Sequence, residues 1–264
     1  MRNYSTYFSY ASECCHKYGL LTKGQSFSEK EDAVELYVLT TLHLCKQHSE
    51  TISQLLNNQL YIGAMIIARN IMELFFNLDW IKDSNDKNEQ LEKVYKLEGT
   101  ALSSMEKEVK MMTDDATSAK MVWQENMFKE NVEALEKVKQ FYPHLLEKNK
   151  KGEMVFKQAP NFSERMNELY RLKFHNIYRL LSAFVHPSPI LREFTLLRND
   201  AEKTPIQIIE YHFPELMEYI LFFIYGIIEN STKILSNIYP DKKNEFDKIG
   251  LDYFQKINEI SQKF

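Results

Sequence analysis

Apolar residues recur along this chain at the spacing of one helical face, and polar residues fill the positions between them. The first such stretch runs from near Asn3 to Tyr18, is rich in aromatic residues and is expected to end at Gly19. A polar loop through Gly24 and Gln25 follows. Ser28-Glu29-Lys30-Glu31 then fits a capping box, in which the serine oxygen accepts from the backbone three residues on and the glutamate reaches back. Val34, Val38, Leu42, Cys45, Ile52 and Leu55 continue that periodicity to about Asn57. From Gln59 to Lys82 the apolar positions go nearly all the way round, which predicts a helix buried on most sides. Against them run Arg69, Glu73 and Asn77, each four residues after the last.

A polar link from Asp83 to Asn88 leads to two helices rich in Glu and Lys, about Glu89 to Met111 and on to Phe141, with Thr113-Asp114-Asp115 expected to cap the second. Charges at this spacing are the solvated faces of an outer hairpin. Tyr142 to Pro160 reads as a loop, and its lysines are better explained by solubility than by phosphate contacts. Asn161-Phe162-Ser163 caps the next helix, which has a break near Leu172 and runs to Pro187 and Pro189. The stretch from Ile190 to Glu210 is ambiguous between strand and short helix. Pro214 is expected to open an apolar helix from Glu215 to about Asn237, and Asp241 to Gln262 forms a last amphipathic one. The pattern predicts an all-α, single-domain multi-helix bundle with long antiparallel helices. It spans residues 1–264, with the core in about 30–240 and a C-terminal packing helix in 241–264.

One helix carries polar groups along a line. Arg179 and His186 are seven residues apart, so their side chains lie about 20° apart in projection and ~10 Å apart along the axis. Ser182 and His175 fall on the same side, while Ile177, Leu180, Leu181, Phe184 and Val185 cover most of the rest. A buried helix carries such a stripe only for a reason. Histidine exchanges protons near neutrality and arginine holds a phosphate in a planar fork, with serine able to orient either. Arg179, His186 and Ser182 are therefore the candidate catalytic residues, with Arg69, Glu73, Asn77, His175 and Tyr178 as supporting residues. Arg69 and Glu73 are expected to pair within their helix, and breaking that pair costs about 3–5 kcal/mol if it is buried.

Arg179-x6-His186, ending a helix before Pro187 in an all-α chain, resembles the Arg-x(4–6)-His signature of the HEPN superfamily. Arg69-x-x-x-Glu73 together with Ser182-x-x-x-His186-Pro187 also resembles an uncharacterised bacterial helical family placed near it. The resemblance runs from about Leu55 to Pro189, and the polar residue that commonly follows the superfamily's arginine is Leu180 here. It implies a metal-independent endoribonuclease of the toxin or phage-defence type, with RNA as substrate. It also implies a homodimer whose two chains share a composite Arg/His site, and an antitoxin or other partner protein. The competing expectation is a noncatalytic helical binding module in which the same residues form a buried hydrogen-bond network.

Composition narrows this little further. A net charge of −4 argues against broad, nonspecific nucleic-acid binding and leaves any RNA contact focused. Cys14, Cys15 and Cys45 form no disulfide framework, and the N-terminus lacks a signal-peptide core, so a cytoplasmic protein is expected. The most apolar run, Tyr219 to Ile228, is too short to cross a bilayer, so no membrane association is expected. His43, Cys45 and His48 do not share a tight face, and Glu13-Cys14-Cys15-His16 supplies only one Glu-x-x-His, so neither a metal site nor a cofactor is expected. No Gly-rich phosphate loop or nucleophile elbow occurs.

Overall fold

The computed structural model describes residues 4–28, 31–84, 86–118, 122–166, 168–185 and 205–261. Within them the protein is an all-α, multi-helix bundle, as the periodicity predicts, with helices α1 (Tyr4–Leu21), α2 (Ala33–Asn57), α3 (Tyr61–Lys82), α4 (Lys87–Ser118), α5 (Val122–Phe141), α6 (Phe162–Arg165), α7 (Glu168–Val185), α8 (Pro205–Ile238) and α9 (Lys243–Ser261). The chain divides into two compact units, one made of Met1–Asp83 and Phe162–Phe264, the other of Ser84–Asn161.

In the first unit α3 is the central element. It packs against α2, α7 and α8, while α1 lies along α2 and α9 along α8. Ala64, Met65, Ala68, Ile71, Met72, Phe76 and Leu78 are fully buried, as an almost uniformly apolar helix requires. By length and composition alone α3 could also cross a membrane, and here 44% of that apolar window is buried among the neighbouring helices. Aromatic rings fasten it to its neighbours. Phe75 and Phe76 lie 5.3 and 5.8 Å from Phe223 of α8, and Phe76 lies 5.5 Å from Phe162 of α6 and 5.8 Å from Tyr170 of α7. Phe174 of α7 reaches Phe223 at 5.1 Å. Edge-on and tilted ring pairs of this kind add roughly 0.5–1.5 kcal/mol each beyond the area they bury. They fix which side of α7 faces α3.

Several boundaries differ from those the sequence predicts. The helix α1 runs through Gly19. Asp32 stands at the start of α2, and its carboxylate, rather than Glu31, accepts the Ser28 N–H at 2.8 Å, while the Ser28 hydroxyl accepts from the Glu31 N–H at 3.4 Å. The chain breaks between Arg165 and Glu168 instead of near Leu172. The helix α8 begins at Pro205, where a missing N–H costs nothing, and passes through Pro214 without ending. Residues 190–204, where strand and helix were both open, lie outside the described residues.

In the second unit α4 continues through Thr113, Asp114 and Asp115 instead of stopping before them. It pairs with α5, and Lys139 bridges to Glu106 at 2.8 Å and to Glu136 at 2.7 Å. The expected loop holds a small antiparallel hairpin, β1 (Leu146–Lys148) and β2 (Met154–Phe156), with Leu146 opposite Phe156. The Asn149 side chain closes its turn by accepting from the Lys151 and Glu153 N–H groups at 2.8 and 3.0 Å. Gly152 supplies the left-handed residue at φ +81°. Lys148, Lys150 and Lys151 are exposed around it.

Candidate functional site

Arg69 and Glu73 of α3 meet Tyr178 of α7, and one closed triangle joins the three. Arg69 Nη2 lies 2.9 Å from Glu73 Oε1, as four-residue spacing on a helix allows. The same Nη2 donates to the Tyr178 hydroxyl at 3.2 Å, and that hydroxyl donates on to Glu73 Oε1 at 3.2 Å. The guanidinium also sits over the Tyr178 ring, 5.4 Å from its centroid. Burial alone would pull the Arg69 pKa down. The Tyr178 hydroxyl and the Glu73 carboxylate outweigh it, so the net direction is up. The side chains remain 20% and 35% exposed, so water reaches the edge of this pair.

Beside the triangle lies a second arginine that the sequence reading passed over. Phe162 of α6 stacks on the Tyr178 ring at 4.1 Å, with the planes 21° apart, and the Arg165 guanidinium sits 5.8 Å from the Phe162 centroid. Arg165 makes no hydrogen bond or ion pair with the described residues. Burial lowers its pKa, and Tyr37, Glu73 and Tyr178 only partly offset that. A hint was present in the sequence, because Arg165 lies between the apolar Phe162, which is half-buried, and Met166, which is buried. Its neighbours on α2 and α3 are distant in the chain, so periodicity could not reveal them.

The predicted α7 stripe divides by depth. Arg179 is exposed and has no partner among the described residues, whereas Ser182 Oγ and His175 Nδ1 are shut away from solvent and equally unpaired. None of the three bonds to another. His186 and Pro187 follow the last described turn of α7 and lie outside the described residues. The shielded side-chain atoms without a partner also include Arg69 Nε, Asn77 Oδ1 and Arg165 Nε. Five of the nine such atoms among the described residues, His175 Nδ1 and Ser182 Oγ included, thus belong to α3, α6 and α7. Buried polar groups are normally satisfied, so these five atoms are groups on three adjoining helices that water or a ligand would satisfy. Among the described residues, no three His, Cys, Asp or Glu side chains gather where they could hold a metal.

No curated protein and no solved structure matches the chain. One family model does, over residues 35–203, a span that contains Arg69, Glu73, Arg165, Tyr178, Arg179, Ser182 and His186 and covers more than half of the sequence. The chain therefore belongs to that family, described as a family of unknown function, DUF5677.

Proposed function

We propose that this protein is a metal-independent endoribonuclease of the HEPN type, acting in the cytoplasm in a toxin or phage-defence role. The observation that carries the reading is the gathering of unpaired polar atoms and uncompensated guanidinium groups on α3, α6 and α7. Arginine held without a counter-charge is suited to a phosphate, which its planar fork can grip through two oxygens. In this reading the RNA 2′-hydroxyl attacks the adjacent phosphorus and the 5′-oxygen leaves. His186 moves a proton, and Arg179 stabilises charge on the phosphorane, with Ser182 orienting one of them. The products are a 2′,3′-cyclic phosphate and a 5′-hydroxyl. Arg69, Glu73 and Tyr178 hold α7 at a fixed rotation against α3.

Two chains complete the site. Side chains tilt toward a helix N-terminus, so Arg179 leans away from His186 and ~10 Å of axial rise already separates their positions. Two α7 helices crossing antiparallel about a two-fold axis bring Arg179 of one copy toward His186 of the other. The expected result is that His186→Ala and Arg179→Lys each abolish RNA cleavage with helical content unchanged, and that mixing the two inactive variants restores part of the activity. Cleavage by both variants at the wild-type rate would reject these roles, and a mixture as inactive as its components would reject the shared site.

A second reading, a noncatalytic binding module, is favoured by one observation: the Arg69, Tyr178 and Glu73 triangle closes on itself, as a structural tether does. In that case the protein retains RNA without cutting it, or ignores RNA altogether.

A further inference from the structure

We propose that Arg165 is the anchor of a phosphate-binding subsite, separate from the Arg179 and His186 pair and not dependent on cleavage. Charge supplies the first argument. Among the described residues the carboxylate that acts on Arg165 is Glu73, and Glu73 is already engaged by Arg69 and by the Tyr178 hydroxyl. Arg165 is thus the excess cation. A half-buried cation without a partner costs stability, and a fold that retains one leaves room for an anion to enter.

Geometry supplies the second argument. The guanidinium lies over the Phe162 ring, and Phe162 is held by stacking on Tyr178 at 4.1 Å and by an edge-on contact with Phe76 at 5.5 Å. Those rings hold Phe162 in place beneath the guanidinium, and the N–H donors of Arg165 bond to none of the described residues, which leaves them for the ligand. Arg165 Nε is shielded from solvent without a partner, while the end of the side chain retains partial exposure. That is the disposition of a pre-placed fork rather than of a surface arginine. Its ligand is a phosphate group, drawn either from an RNA backbone or from a free nucleotide.

Calorimetric titration of the full chain tests this, with four probes: inorganic phosphate, adenosine 5′-monophosphate, a short single-stranded 2′-O-methyl oligoribonucleotide that cannot be cleaved, and acetate. Wild type is expected to bind at least one phosphate-bearing probe. Binding to the oligonucleotide alone identifies an RNA backbone as the source, and binding to the monophosphate identifies a free nucleotide. Arg165→Met should weaken that binding roughly tenfold or more, the loss of a charge-assisted hydrogen bond or two. Its melting temperature without ligand should equal or exceed that of wild type, because an uncompensated cation has been removed. Arg165→Lys should retain part of the affinity. Unchanged binding by Arg165→Met, a melting temperature below that of wild type, acetate binding alone, or no binding of any probe by wild type would each overturn the proposal. Wild-type protein that binds through Arg165 but does not cut RNA would overturn the cleavage reading and leave this one standing.

Discussion

At the scale of single residues, Glu73 joins two elements because it is the common acceptor of Arg69 and Tyr178. Glu73→Ala leaves both donors without that acceptor, but water reaches the pair. The predicted loss of stability is about 1–2 kcal/mol, below the ~3–5 expected of a fully buried pair. Tyr178→Phe should cost about 1 kcal/mol, since the ring contacts with Phe162 and Arg69 survive it. Denaturant melts of the two variants check both figures, and a Glu73→Ala protein as stable as wild type would show that the triangle contributes nothing. The cysteines allow a second prediction. Burial raises the Cys14 thiol to about 11, and a hydrogen bond with Cys45 together with burial raises Cys15. The thiolate of those two is therefore scarce near neutral pH, and Cys45 is buried beside them. A chromogenic disulfide reagent should find almost no reactive thiol in the native protein at pH 8 and all three after denaturation; rapid native labelling would contradict their burial. The Arg69 and Glu73 pair was legible in the sequence because four-residue spacing suffices to predict it. The bonds of Tyr178 and the position of Arg165 were not, since each depends on residues about a hundred positions away.

At the scale of elements, the crossing of α3 and α8 sets the frame on which α6 and α7 rest. Gly226 makes that crossing close: a Cβ there would run into the Phe75 ring, which is itself buried against Phe76 and Phe223. Gly226→Ala should therefore destabilise by about 1–3 kcal/mol, although alanine is the better helix former by about 1 kcal/mol. A thermal melt decides the sign, and a stabilised variant would mean that α8 can move away from α3 without cost. Helices were legible from periodicity wherever they were amphipathic or uniformly apolar. Their ends were less so. Thr113, Asp114 and Asp115 have the composition of a cap yet lie inside α4, which runs on to Ser118. Pro214 likewise reads as a helix start, but the packing of α8 on α2, α3 and α9 outweighs the one backbone bond a proline removes. The hairpin of β1 and β2 was missed because three-residue strands leave no measurable alternation.

At the scale of the whole molecule, the division at Ser84 and Asn161 falls in stretches that read in the sequence as ordinary connections between helices. Compactness depends on which contacts form, and composition does not record that. The stripe of His175, Arg179 and Ser182 was legible as a line on one helix. Its splitting into one exposed cation and two shielded, unpaired groups was not, because depth depends on where α3 and α6 lie. The central claim is that this face serves RNA cleavage without a metal. The most direct measurement incubates the purified full chain with single-stranded RNA in excess chelator and determines the chemistry of the new ends. The account predicts 2′,3′-cyclic phosphate and 5′-hydroxyl ends from wild type and none from His186→Ala. Intact RNA under these conditions, or cleavage that survives His186→Ala, would contradict it.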